Sequence, residues 1–195
     1  MEIYHEAKEA AYRALLDGGV SALPVDILRL VNRNAMDVYK SCDYPHLREG
    51  EYARTFFDGS EWWIVFDENI PCCKFLRHTL AHGLGHKAMK QPLFLGFPHL
   101  PIPNKPKRKY AKIDIPHEEK EAEAFARHLL APLPLLREMG VTSSRDIATA
   151  CQIPIEVAEL QAEILEYYIA ANVPLTALEA QLCEQCRGFI EKYRP

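Results

Sequence analysis

Apolar residues return at helical spacing from the start of the chain. Ala7, Ala10, Ala11, Leu15 and Leu16 share one face of residues 4–17, and Gly18-Gly19 ends the run. A second helix is expected from Pro24, with Ile27, Leu30 and Val31 turned inward. Between Tyr52 and Phe66 the period changes. Asp58-Gly59-Ser60 reads as a turn, and Glu61 to Glu68 (EWWIVFDE) as a strand rich in aromatic and β-branched residues. Helical spacing resumes from Leu76 to Met89 and again in an acidic segment, His117 to Leu130, closed by Ala131-Pro132. Ser144 to Ala150 and Ile155 to Tyr168 read as two short helices around Gln152-Ile153-Pro154, and the tail from Pro174 adds a final helix. This order predicts a single α+β domain over residues 1–195, a small sheet in a mostly helical surround.

Between the fourth and fifth of these elements lies a long irregular connection, residues 91–116. It holds Pro92, Pro98, Pro101, Pro103, Pro106 and Pro116 and a basic centre of Lys105, Lys107, Arg108, Lys109 and Lys112. Such a length inside a domain suits either a solvated loop or a flap over a cleft.

With 195 residues, 48% of them hydrophobic and 26% charged, the chain can bury a core of its own. A formal net charge of -4 gives no general case for nucleic-acid or membrane binding. The first residues, MEIYHEAKEA, lack the basic and apolar regions of a secretion signal, and no apolar run reaches the roughly 18 residues of a membrane span. A cytoplasmic protein with reduced thiols is expected. Cys183 and Cys186 form one C-x-x-C in a helical pattern; without a second such pair, ordinary buried thiols are the reading ahead of a thiolate zinc site or a redox pair.

The chemistry concentrates in Arg77 to Lys87, RHTLAHGLGHK. His78, His82 and His86 form two overlapping H-x-x-x-H pairs, each placing two imidazoles on one helical face a turn apart, where one tetrahedral ion can take both. His78 and His86 would lie roughly 12 Å apart along the axis, too far to share an ion. Downstream, Glu119 and Glu123 are also one turn apart, so one can reach a metal while the other accepts a hydrogen bond from a ligating imidazole. A solvated acidic first turn would look the same.

These residues resemble the ImmA/IrrE family of bacterial and phage zinc metallo-endopeptidases. The T-L-A-H-x-L-G-H motif stands at Thr79 to His86. A second motif, E-x-x-A-x-x-F-A-x-x-L-L-x-P, stands at Glu119, Ala122, Phe125, Ala126, Leu129, Leu130 and Pro132. The resemblance covers roughly residues 5–170, leaving 171–195 as a helical tail. It implies a zincin-like fold with Zn2+ held by His82, His86 and Glu119, and it selects the 82/86 pair over 78/82. Glu123 takes the place behind a ligating imidazole, accepting its hydrogen bond, where the family usually has Asn, and His78 becomes a helix-face or cleft-wall residue. The implied activity is cleavage of a protein, often a helix-turn-helix repressor, by metal-activated water, with substrate main chain added to a sheet edge near Trp62 to Phe66.

One position departs from the family. The residue after the first ligand is Gly83, where the motif carries the general-base Glu. Losing a general base typically costs about 10²–10⁴ in rate. Activity is therefore open. The departure fits a natural loss, a constructed change, or rescue by another carboxylate such as Asp114, Glu118 or Glu121. The main alternative is an inactive zinc-binding pseudo-peptidase that holds a regulator without cleaving it. A remoter one is a helix-turn-helix DNA-binding protein built on Ser144 to Tyr168. Its second helix carries Glu156, Glu159 and Glu163 and no Lys or Arg, which phosphate would repel, so no direct nucleic-acid contact is expected.

Overall fold

The computed structural model describes residues 4–43, 47, 52–91 and 117–193. The proline-rich connection from Pro92 to Pro116, with its basic centre and Asp114, lies outside the described residues. Along the chain come α1 (His5–Asp17), α2 (Ile27–Arg33), β1 (Met36–Lys40), β2 (Ala53–Phe57), β3 (Trp62–Phe66), α3 (Cys73–Ala88), α4 (His117–Leu130) and α5 (Leu133–Met139). They are followed by α6 (Ser144–Cys151), α7 (Ile155–Ala170), α8 (Ala177–Gln185) and α9 (Arg187–Tyr193). The architecture is α+β, mostly helical, with one small mixed sheet.

α1 buries Ala7, Ala11, Tyr12 and Leu15 against the core, while Ala10 and Leu16 are only partly covered. The aromatic ring of Tyr12 thus takes the central place that periodicity assigned to smaller neighbours. α2 starts three residues later than its proline suggested. Asp26 is the reason, because its carboxylate accepts from the Arg29 N–H at 3.1 Å and so caps the first turn. α3 begins at Cys73, a turn ahead of the expected Leu76. The tail divides into α8 and α9 at Cys186, whose thiol is buried against the Val20 carbonyl. β1, β2 and α5 had no counterpart in the sequence reading, which assigned one strand, at Glu61 to Glu68. α5 is short, opens on Pro132 with Pro134 in its first turn, and closes at Gly140 in the left-handed conformation (φ 70°).

The sheet runs β1-β3-β2, with β1 parallel and β2 antiparallel to β3. The expected turn closes the β2–β3 hairpin. Gly59 takes φ 107°, and Asp58 accepts from the N–H groups of Ser60 at 2.8 Å and Glu61 at 2.9 Å. Those hydrogen bonds, led by the one from Glu61, hold the Asp58 carboxyl down at about 2. β3 is the central strand, so it has no free edge to offer a substrate backbone. The placement along Trp62 to Phe66 is therefore corrected: β1 and β2 are the outer strands among the described residues.

α3 is the central helix. His78 and the whole run from Leu80 to His86 are buried, with α4 packed along one side and the sheet along another. Two glycines allow these approaches. A β-carbon on Gly85 would stand 3.1 Å from Phe125 Cδ1 and 3.2 Å from both Cα and O of Ala122 on α4. One on Gly83 would stand 2.6 Å from Thr55 Oγ1 of β2 and 2.8 Å from Ile64 Cδ1 of β3. At its N-terminal half, α3 is tied to α6 by Arg77, which donates to the carbonyls of Val25 (2.8 Å), Gln152 (3.2 Å) and Cys151 (3.4 Å). No helix among the described residues is long and apolar enough to cross a membrane.

Candidate metal centre

The close packing of α3 on α4 brings His82, His86 and Glu119 together. One ligand atom from each lies within 4.8 Å of the others, and this is the one such group among the described residues. His82 Nε2 and His86 Nε2 face each other at 3.1 Å. Two nitrogens sharing a tetrahedral zinc ion at about 2.05 Å would be about 3.3 Å apart, so the separation fits a shared cation. Glu119 supplies the third corner, with Oε2 at 3.1 Å from His82 Nε2 and Oε1 at 3.5 Å from His86 Nε2. The imidazoles are 3% and 4% exposed, whereas the Glu119 side chain is more open. Two imidazoles and a carboxylate on a partly open cluster could hold a divalent metal ion.

Around this trio stands an outer ring. Glu123 Oε2 lies 3.6 Å from His82 Nδ1 and accepts from His78 Nε2 at 2.9 Å, with Arg127 Nη1 at 3.8 Å from its other oxygen. His78 is buried on the same face of α3 and partners Glu123 there. Four residues before His82 is the same face of α3, and that face is covered by α4. Burial opposes a charge on Glu123, but the adjacent His78 and His82 outweigh it and hold the carboxyl well below its usual range.

The two imidazoles of the cluster differ. Burial works against charging His82, yet its hydrogen bond to Glu119 and the nearby carboxylate of Glu123 prevail and raise its pKa to about 9. His86 is pushed down to about 4 by burial and by the neighbouring His82. His86 Nδ1 donates to Gln91 Oε1 at 2.8 Å, and Gln91 Nε2 donates to Glu121 Oε2 at 2.8 Å. Gln91 belongs to no motif, and the sequence held no periodic signal for it. Glu121, named above as a replacement base, is engaged by Gln91 and by His117 at 3.3 Å. Glu118 is half-buried at the start of α4.

The other candidates fall elsewhere. Burial raises Cys183 and Cys186 to about 11, and the Cys186 thiol donates to Val20 O at 3.4 Å, which suits packed thiols rather than ligands. α6 and α7 form a helix pair, and the exposed side of α7 presents Glu159, Glu163 and Glu166.

The described residues thus define an α+β domain with a candidate centre for a divalent metal ion. No family model, curated protein or solved structure matches the chain.

Proposed function

We infer that this protein is a zinc-binding member of the metallo-endopeptidase class, built on a zincin-like scaffold of the ImmA/IrrE type that its motifs resemble. Its reaction would be hydrolysis of a peptide bond in a protein such as a helix-turn-helix repressor. The observation that carries this reading is the convergence of His82 Nε2, His86 Nε2 and Glu119 from two helices onto one point. Zinc bound there supplies a Lewis acid for the scissile carbonyl and acidifies water toward a pKa of about 7. His82 and His86 hold their Nε2 atoms toward that point, and Glu119 contributes negative charge and an opening to solvent. An extended substrate would add to β2, the outer strand that lies against Gly83.

A second reading has its own support. The space beside Gly83 is filled by Thr55 and Ile64, so the sheet occupies ground where a base would have to begin. That favours a pseudo-peptidase that keeps its metal and grips a regulator without cutting it.

Metal analysis of the purified chain beside His82→Ala tests the shared part of both readings. About one equivalent in the parent and a loss in the variant are expected; equal content in both would end them. Chelator-sensitive cleavage of a repressor by the native chain would decide for the peptidase, and stable, uncleaved binding for the pseudo-peptidase.

A further inference from the structure

The C-terminal end of α3 turns back on itself. Lys90 takes φ 52°, its N–H donates to Lys87 O at 3.0 Å, and the Gln91 N–H donates to His86 O at 3.1 Å. This is the paired-bond closure of a helix that requires one left-handed residue. Its consequence is that the side chain of Gln91, only 7% exposed, is delivered to the ring of His86.

We propose that Gln91 and Glu121 are positioning residues that fix the tautomer of His86 and so aim its Nε2 lone pair into the metal centre. The inference rests on the metal-binding reading for its functional meaning, and on hydrogen-bond chemistry for its logic. A carboxylate only accepts, so the Gln91 amide must present its NH2 to Glu121, as the 2.8 Å contact requires. Its carbonyl oxygen is then left facing His86 Nδ1 at 2.8 Å. That oxygen also only accepts, so Nδ1 carries the hydrogen and Nε2 carries the lone pair. Reversing the amide would set its oxygen against the Glu121 carboxylate. The direction of the relay is therefore set by Glu121, on α4, although the ring it orients belongs to α3. The same two helices that supply the ligands also supply this outer hold, and Gln91 and Glu121 stand at either end of the segment 92–116.

Two measurements test the relay. In the metal-free protein near pH 7.5, long-range 1H–15N correlation should find His86 with a protonated Nδ1 and a bare Nε2. A ring protonated at Nε2 would overturn the proposal whatever the metal does. For the second measurement, Co2+ titration should show Gln91→Met binding about 10- to 100-fold more weakly than the parent, the range typical of outer-ring partners of a metal ligand. The double exchange Gln91→Glu with Glu121→Gln keeps an acceptor toward His86 and a donor-acceptor pair behind it. It should restore affinity to within a few-fold and keep the Nδ1–H tautomer, whereas a purely structural role would leave it as weak as Gln91→Met. Parent-like affinity and tautomer in Gln91→Met would also overturn the proposal. If parent and His82→Ala fail equally to bind Co2+, the metal reading falls, and the tautomer measurement still decides the relay.

Discussion

Thr55 Oγ1 lies 2.6 Å from the point a β-carbon on Gly83 would occupy, with Ile64 Cδ1 2.8 Å from the same point. A real β-carbon does not approach other atoms so closely. With the Thr55 and Ile64 side chains as they stand, position 83 has room only for glycine. The lack of a side chain at Gly83 and the close seat of the sheet are two aspects of one packing arrangement, and introducing a Glu at this position requires Thr55 and Ile64 to move.

Gly83→Ala should destabilise the protein. Alanine gains about 1 kcal/mol of helix propensity, but overpacking a closed site costs about 1–3 kcal/mol. A net loss near 1 kcal/mol is expected from denaturant unfolding. In a Thr55→Ala, Ile64→Val background the same substitution should become neutral or stabilising. An equal penalty in both backgrounds would mean that these two side chains are not what excludes the β-carbon. The trimmed background is also the one in which Gly83→Glu can test for peptidase activity.

Gly85→Ala should act on the metal centre from the other side of α3. Its β-carbon would meet the backbone of Ala122 at 3.2 Å, and backbone cannot rotate away. α3 or α4 must give by a few tenths of an ångström, which shifts His82 and His86 relative to Glu119. Zinc affinity, read by competition with a chromophoric chelator, should fall by about tenfold or more for a displacement that disturbs ligand geometry. Unchanged affinity would show that the cluster tolerates a wider helix spacing.

Metal binding should strengthen with pH through neutrality. His82 must lose its proton to become a ligand, and its pKa in the metal-free protein is about 9, whereas His86, at about 4, is already neutral. Affinity should therefore rise about tenfold per pH unit between pH 6 and 8, with close to one proton released, as calorimetry in buffers of different ionisation enthalpy would report. A flat profile would contradict the pairing of His82 with Glu119 and Glu123. The sign for metal-free stability is opposite: because the folded pKa is raised, the contribution of His82 is complete below about 6.5 and fades as pH rises through about 9.

Much of the helical framework was legible in the residue pattern. The expected bounds of α4 coincide with those observed, and α1 and the starts of α6 and α7 fall where apolar spacing and turn residues put them. These features depend on neighbours within one or two turns, which is the range over which periodicity and capping operate. β1 was not legible because a five-residue strand on a sheet edge has too short a period to stand out, and its place beside β3 depends on pairing across the chain. The divided tail was missed for a similar reason: its break depends on where Cys186 packs against Val20.

The amino-acid sequence by itself determined which residues could serve as ligands. His82 and His86 share a helical face, Glu119 and Glu123 sit a turn apart, and Gly83 leaves no side chain on the residue after His82. Only the tertiary structure decided how these parts meet. It brought Glu119 to His82 across 37 positions of chain, turned His78 toward Glu123, delivered Gln91 and Glu121 to the back of His86, and closed the sheet over Gly83. Those relations arise from the spacing of α3, α4 and the sheet, a property of packed surfaces that no local pattern encodes.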